Sequence, residues 1–209
     1  MTDWNLPPQE IERLSWGIIE AEAPPHAWPP QAWRIIRRMI HTTADFDWVE
    51  SVRMHPQAIA SGLAALKAGA TVFTDTRMAQ AGISQRRLAP FDARVRCLMD
   101  DPQVARLAAE RGTTRAVAAV DLALPELEGA IYVVGNAPTA LYRLLQHVQA
   151  GQARPALVVG LPVGFVNAAE AKAALAATSQ PFITAVGRKG GSAVAASVIN
   201  ALAELCGEV

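Results

Sequence analysis

The chain has 209 residues, of which 51% are hydrophobic and 18% are charged, and its 19 basic and 19 acidic side chains give a formal net charge of zero. This length and hydrophobic content are typical of one folded domain and argue against disorder. Zero net charge argues against a broad basic surface for DNA or RNA, because such binding depends on Lys and Arg that neutralise phosphates.

The basic side chains are nearly all arginine, since the only lysines are Lys67, Lys172 and Lys189. Arginine binds carboxylates through two parallel hydrogen bonds, so the excess fits an anionic ligand, although a coding bias toward Arg and Ala explains it equally well. The two cysteines, Cys97 and Cys206, form no C-x-x-C pair, and no run of about 18 apolar residues occurs. We therefore expect a cytoplasmic protein without disulfides, sulfur-bound zinc or a membrane span.

The N-terminal quarter is predicted to form two helices. The apolar positions of the first helix recur at three- and four-residue spacing and are Ile11, Leu14, Ile18 and Ile19. The proline-rich run 24–30 ends this helix, and a second helix is predicted from about Gln31. The buried side of the second helix is expected to consist of Trp33, Ile36, Met39 and Ile40.

From residue 57 onward, helical patterns alternate with short apolar runs, which predicts a mainly parallel sheet between two helical layers. Helices are predicted over 57–68, 102–110, 139–150, 167–177 and from about 192 to about 205, and strands over 71–74, 131–134, 156–159 and 182–186. We expect one three-layer α/β/α domain over 1–209, in which a helical segment of about 8–50 packs on a core of about 51–209. Ligands of such sheets bind at the carboxyl ends of the strands, where three glycine-rich loops are predicted.

The last of these loops, 187–192 (GRKGGS), lacks the residue order of a mononucleotide P-loop, and no dinucleotide fingerprint follows any strand. The loop is either a tight turn with two solvated basic residues or a site where Arg188 or Lys189 meets a carboxylate of the ligand. Two further basic segments stand out. Residues 84–96 contain four arginines and one aspartate, a pattern typical of a solvated face, and 112–115 (GTTR) predicts a capped helix from about Arg115.

The histidines are His26, His41, His55 and His147. They have no metal-ligand spacing, so we expect no protein-bound metal. His41 ends the predicted second helix and shares one helix face with Arg34 and Arg38, at spacings of four and three residues. This histidine is either a solvated helix cap or the titratable group of a cationic site, and its protonation state is left open by the sequence.

Seven segments carry a family resemblance that spans about residues 8–203. They are 37–42 (RRMIHT), 75–78 (DTRM), 83–88 (ISQRRL), 112–115 (GTTR), 135–141 (GNAPTAL), 159–166 (VGLPVGFV) and 187–192 (GRKGGS). In combination they resemble the precorrin-8X methylmutases of cobalamin biosynthesis. Trp16 and Glu20 depart from the family pattern, in which we expect phenylalanine and arginine.

The resemblance implies a flavodoxin-like fold, a homodimer with its sites near the subunit interface, and no metal or dissociable cofactor of the protein's own. It implies an isomerase that moves a methyl group from C-11 to C-12 of precorrin-8X or cobalt-precorrin-8, a polycarboxylate corrin precursor, to give hydrogenobyrinic or cobyrinic acid. Any cobalt is carried by the substrate, and the sequence leaves its presence open.

The resemblance also assigns roles to residues. It implies that His41 is the catalytic residue and that Ser15, Arg38 and Thr42 contact the substrate, while Arg86, Arg87 and Arg115 are expected to hold its peripheral carboxylates. Two alternatives are a non-catalytic corrin carrier that kept the fold and a flavodoxin-like flavin or nucleotide binder, against which the missing phosphate motifs count.

Overall fold

Six strands form one sheet in the computed structural model, which describes residues 5–207. The strands are β1 (Val52–Met54), β2 (Thr71–Thr74), β3 (Arg94–Cys97), β4 (Ile131–Val134), β5 (Leu157–Gly160) and β6 (Phe182–Ala185). Their order in the sheet is β1-β6-β5-β4-β2-β3, and every neighbouring pair is parallel except β1 with β6. The five parallel strands thus follow the order of flavodoxin-like sheets, and the predicted fold class is confirmed.

The sheet separates two layers of helices. The helices are α1 (Pro8–Glu22), α2 (Pro30–Thr43), α3 (Trp48–Ser51), α4 (Ala58–Lys67), α5 (Arg77–Gly82), α6 (Gln85–Leu88), α7 (Pro102–Arg111), α8 (Arg115–Ala123), α9 (Pro138–Gln149), α10 (Ala168–Ala176) and α11 (Ser192–Gly207), with 3-10 turns at Ala89–Phe91 and Leu124–Glu126. On one face, α11 packs against α2, α4, α5 and α6, whereas α7 to α10 pack in series on the other face.

Alternation along the central strands divides the core between these layers. In β4, Ile131 and Val133 pack with the α2 and α11 residues, while Tyr132 and Val134 pack with α9 and α10. All residues of β4, β5 and β6 are buried, which explains why these strands are apolar apart from Thr184.

The four predicted strands and the five helices predicted from residue 57 onward are all present, as are the two N-terminal helices. Edge strands β1 and β3 and helices α3, α5 and α6 were not predicted. β1 has three residues, and β3 alternates exposed or half-buried arginines with Val95, so neither has the apolar run of a central strand. The first helix differs in its packing, because Ile19 is buried but Ile11, Leu14 and Ile18 are 48%, 40% and 56% exposed.

Candidate active site

His41 lies in the last turn of α2, on the side of the helix that faces solvent. The opposite side packs against α11 and is buried through Ile36, Met39 and Ile40. The helix ends at Ala44, whose backbone is left-handed (φ 52°) and whose N–H donates to the Ile40 carbonyl at 2.7 Å. A packed helix end therefore carries an exposed imidazole.

Trp16 of α1 supports the His41 ring. The two ring centroids are 4.6 Å apart, and the ring planes meet at 39°. Two guanidiniums also contact the indole, with Cζ of Arg37 at 4.5 Å and Cζ of Arg38 at 5.3 Å from its centroid. One indole therefore joins α1 to α2 and limits the orientations of the imidazole.

A cavity of about 330 Å³ opens beside His41, between α1 and the end of α2. Its walls include Ser15, Ile18, Ile19, Glu22, Ala44 and Phe46. Most of these side chains are apolar, so the imidazole and the Ser15 hydroxyl are placed among surfaces that suit an apolar ring system. The cavity is near the lower end of the range of about 300–1,000 Å³ for ligand sites, so it has room for part of a macrocycle.

The structure brings Ser15 and Thr42 close to His41. Ser15 shares the cavity, and its hydroxyl donates to the Ile11 carbonyl at 2.8 Å. Thr42 follows His41 on the exposed end of α2, and its hydroxyl donates to the Arg38 carbonyl at 2.8 Å. Both hydroxyl oxygens keep acceptor capacity toward a ligand.

Arg38 and Arg87 meet on one carboxylate of the chain itself. The Arg38 guanidinium donates to both Glu204 oxygens, at 3.1 and 2.5 Å, and to Glu12 at 3.3 Å, and Arg87 also pairs with Glu204. Burial lowers the pKa of Arg38 and, together with the nearby Arg38 charge, the pKa of Arg87. The predicted role of these arginines toward substrate carboxylates stays a prediction, and in this structure Glu204 holds both.

The remaining predicted arginines lie elsewhere. Arg86 is exposed on α6, and Arg115 is exposed at the start of α8, in the helix layer on the other face of the sheet from His41. Neither forms an ion pair within residues 5–207. The predicted cap before Arg115 is confirmed, since the Thr114 hydroxyl accepts from the Val117 N–H at 3.2 Å.

The 187–192 loop reaches the segment that follows His41. Lys189 Nζ donates to Asp45 Oδ2 at 2.7 Å and to Asp47, so this lysine meets carboxylates of its own chain. Burial raises the pKa of Asp45, but the hydrogen bonds from Lys189 and from the Asp47 N–H, together with the Lys189 charge, hold that pKa below its usual value. Arg188 lies over the ring of Phe165, with Cζ at 5.5 Å from the centroid.

A buried carboxylate closes the crevice between β2 and β4, where the strand order reverses. Asp75, directly after β2, accepts the N–H groups of Gly135, Asn136 and Ala137 at 2.9, 2.8 and 2.7 Å. Burial raises the pKa of Asp75, and the three N–H groups act in the opposite direction. In many α/β proteins this crevice binds a phosphate, whereas here an aspartate occupies the N–H groups before α9.

Three side chains whose contacts are described above received no role from the sequence. Asp75 was detectable, because an acidic residue directly after a buried strand at the reversal of strand order faces the next loop. Trp16 was visible only as a departure from the family pattern. Glu204 gave no signal, since it lies 166 residues from Arg38.

Two negative observations apply to residues 5–207. No group of three or more His, Cys, Asp and Glu side chains there could hold a metal ion. No helix in that part of the chain is long and apolar enough to cross a membrane.

Comparison with known proteins gives one consistent result. The family described as precorrin-8X methylmutase matches residues 10–205. The cobalt-precorrin-8 methylmutase of Salmonella typhimurium is 46% identical over 201 residues, which cover 93% of this chain and 94% of that protein. The precorrin-8X methylmutase of Pseudomonas aeruginosa is 44% identical over 205 residues, which cover 97% and 98%.

A solved structure agrees with these relatives. The crystal structure described as a precorrin-8X methylmutase from Thermus thermophilus superimposes with a TM-score of 0.90 at 44% identity and covers 96% of this chain and 97% of its own. The relatives named here are all methylmutases, so they give no support to a carrier or a flavin binder.

Proposed function

Because this chain belongs to the precorrin-8X methylmutase family, we propose that it moves a methyl group from C-11 to C-12 of precorrin-8X or cobalt-precorrin-8, with His41 as its proton donor. The observation that carries the assignment is an exposed imidazole, fixed on Trp16 at 4.6 Å, beside a largely apolar cavity. The enzyme is proposed to work in the cytoplasm.

The methyl shift requires the protein to hold the substrate in position and to supply one proton or hydrogen bond. In the shift, the bond from the methyl carbon to C-11 breaks as the bond to C-12 forms, and the π electrons of the macrocycle rearrange without net gain or loss. A proton or hydrogen bond from His41 near the reacting ring stabilises the rearranging π system and returns to the imidazole afterwards. Trp16 contributes by limiting the positions of the ring that donates it.

Arg86, Arg87, Arg115 and Arg38 are proposed to bind acetate and propionate arms of the substrate, with Ser15 and Thr42 as hydroxyl contacts. Charge-assisted contacts of this kind orient a polycarboxylate without taking part in bond breaking. We propose that the protein needs no cofactor of its own, because a methyl shift within one molecule requires no external hydride, electron or methyl donor.

A homodimer is proposed to complete the site. Within one chain, Arg115 and His41 belong to opposite faces of the sheet, so both can act on one substrate if Arg115 comes from a second copy. Exposed apolar side chains next to the His41 cavity, Ile11, Leu14 and Ile18, support a covered surface there. The test is to mix His41→Ala and Arg115→Ala proteins. If each site combines His41 of one chain with Arg115 of the other, a dimer of one variant with the other contains one intact site, and the mixture regains activity. If each site lies within a single chain, the mixture stays inactive.

The role of His41 has a matched control in the same chain. His26 also stacks on a tryptophan, Trp33, at 4.0 Å between ring centroids, but lies outside the cavity. Turnover of each precursor is followed by its ultraviolet-visible spectrum. We expect His41→Ala to lower kcat by about 100-fold or more, the usual contribution of a general acid, and His26→Ala to leave it unchanged. A folded His41→Ala protein with wild-type turnover contradicts the proposal.

A further inference from the structure

We propose that the buried Lys172 is a positioning residue, which fixes the 187–191 loop and, through Lys189, the wall of the His41 cavity. The inference rests on the proposed function, because it concerns the geometry around His41. It goes beyond that function in assigning a role to two lysines that touch neither the imidazole nor the cavity beside it.

The contacts run from the interior to the cavity in two steps. Lys172, on α10, is 1% exposed, and its Nζ donates to the Lys189 carbonyl at 2.5 Å. The Lys189 side chain then donates to Asp45 at 2.7 Å and to Asp47. Asp45 in turn accepts the Asp47 N–H at 3.0 Å, so the segment after α2 is held at two carboxylates and one backbone group.

This segment forms part of the site. Ala44 and Phe46, the two neighbours of Asp45, line the cavity that contains His41. Ala44 also ends α2 three residues after His41, through its N–H bond to Ile40. A displacement of Asp45 therefore moves both a cavity wall and the helix turn that carries the imidazole.

The loop itself is fixed from more than one side. The Gly191 N–H donates to the Leu161 carbonyl at 2.9 Å, and the Gly164 N–H donates to the Arg188 carbonyl at 3.3 Å. At Gly190, an added Cβ would lie 2.2 Å from the Leu161 carbonyl oxygen, so the backbone there packs directly against the loop after β5. Lys172 restrains the loop from the protein interior, at Lys189, the residue of this loop that binds Asp45.

The burial of the Lys172 ammonium group costs desolvation energy, whereas a methionine of similar shape would fill the same space without that cost. A role of the ammonium group would account for its presence. Burial lowers the pKa of Lys172 to about 8. The side chain lines a mostly apolar cavity of about 370 Å³, together with Arg53 of β1 and Glu170 of α10, and makes no ion pair with any residue in 5–207. Its hydrogen bond to the Lys189 carbonyl is thus the interaction through which the charge acts.

The three lysines of the chain provide a matched experiment. Lys172→Met and Lys189→Met each remove one step of the connection, whereas Lys67→Met changes an exposed lysine at the end of α4. We expect both tested variants to lower kcat by about tenfold or more, as small misplacements of reacting groups do, while Lys67→Met keeps the wild-type kcat. Lys189→Arg should keep most of the kcat that Lys189→Met loses, because a guanidinium can still bind Asp45 and Asp47.

Two readouts separate positioning from simple destabilisation. The double variant of Lys172 and Lys189 should be no slower than the worse single variant, since both act through one connection. The His41 Hε1 resonance, assigned with His41→Ala, should move in both single variants, because its shift depends on the nearby Trp16 ring. Unchanged kcat, multiplied losses or an unmoved resonance each overturn the inference. If the wild-type enzyme converts neither precursor, the proposed function fails, while the resonance still tests the role of Lys172.

Discussion

Replacing Asp75 with asparagine changes one oxygen for an NH2 group and tests how the carboxyl edge of the sheet is built. The aspartate accepts three backbone N–H groups at 2.7–2.9 Å in a buried position. An amide oxygen accepts two hydrogen bonds, and the new NH2 group faces the third donor, which is left without a partner. Hydrogen bonds to charged groups contribute about 1.5–3 kcal/mol each, and an unsatisfied buried donor costs about 1–3 kcal/mol.

Burial outweighs the three N–H groups in its effect on the pKa of Asp75, so removal of the charge offsets the loss of charge-assisted hydrogen bonds. The unpaired N–H remains, and we expect Asp75→Asn to lower the free energy of unfolding by about 1–3 kcal/mol. For a chain of this length, that corresponds to a decrease in Tm of about 2–12 °C. Urea unfolding followed by circular dichroism measures the change. The matched control is Asp101→Asn, since the Asp101 carboxylate accepts a single N–H, that of Gln103 at 2.8 Å, as the cap of α7. Asparagine caps helices as well as aspartate, so the control should be nearly neutral. Equal effects of the two substitutions would refute the reasoning.

Three further predictions concern stability and its pH dependence. Glu204→Gln should cost about 2 kcal/mol in urea unfolding, because it leaves Arg38 and Arg87 partly buried without their shared carboxylate; a loss below about 0.5 kcal/mol contradicts this. Burial lowers the pKa of Lys172 from 10.5 to about 8. Between these pH values the unfolded chain therefore binds more protons than the folded chain, and the folded state becomes more stable as the pH rises. The stability of the wild type should rise relative to Lys172→Met by about 2 kcal/mol from pH 7.5 to 9.5. A pH-independent difference between the two proteins would show that Lys172 titrates normally. Gly135→Ala should cost about 2 kcal/mol, because its Cβ would lie 2.6 Å from a backbone atom of α11, and a neutral result in thermal unfolding would mean that the loop yields easily.

The central part of the fold could be predicted because local sequence and tertiary environment agree there. The strand at 131–134 is buried on both faces, so its residues are uniformly apolar and its boundaries are visible in the sequence. Edge strands β1 and β3 could not be predicted in the same way. Arg53 and Arg94 are exposed and Arg96 is half-buried, and such residues resemble those of a loop.

The position of the candidate catalytic histidine was predictable from the sequence, whereas the contacts around it were not. The position of His41 at a helix end follows from the apolar pattern of α2 and from the polar residues that come after it. The contacts of Arg38 with Glu204, and of Lys189 with Asp45, join residues that are 166 and 144 positions apart. No local pattern encodes such pairs. Lys189 of the 187–192 loop binds two carboxylates of the protein itself, and the expectation that a basic residue of this loop meets a carboxylate of the ligand stays a prediction.

The two rims of the sheet restrict how copies of this chain can associate. At one rim, β1 offers only three residues to a neighbouring strand and exposes Arg53. At the other rim, β3 carries Arg94 and Arg96, and two such strands side by side would bring like charges together. Neither rim can be extended by a strand from another molecule without a charge or length penalty. Growth into continuous sheets or fibrils is thereby opposed, and the proposed dimer would have to form through helices and loops, such as those around the His41 cavity.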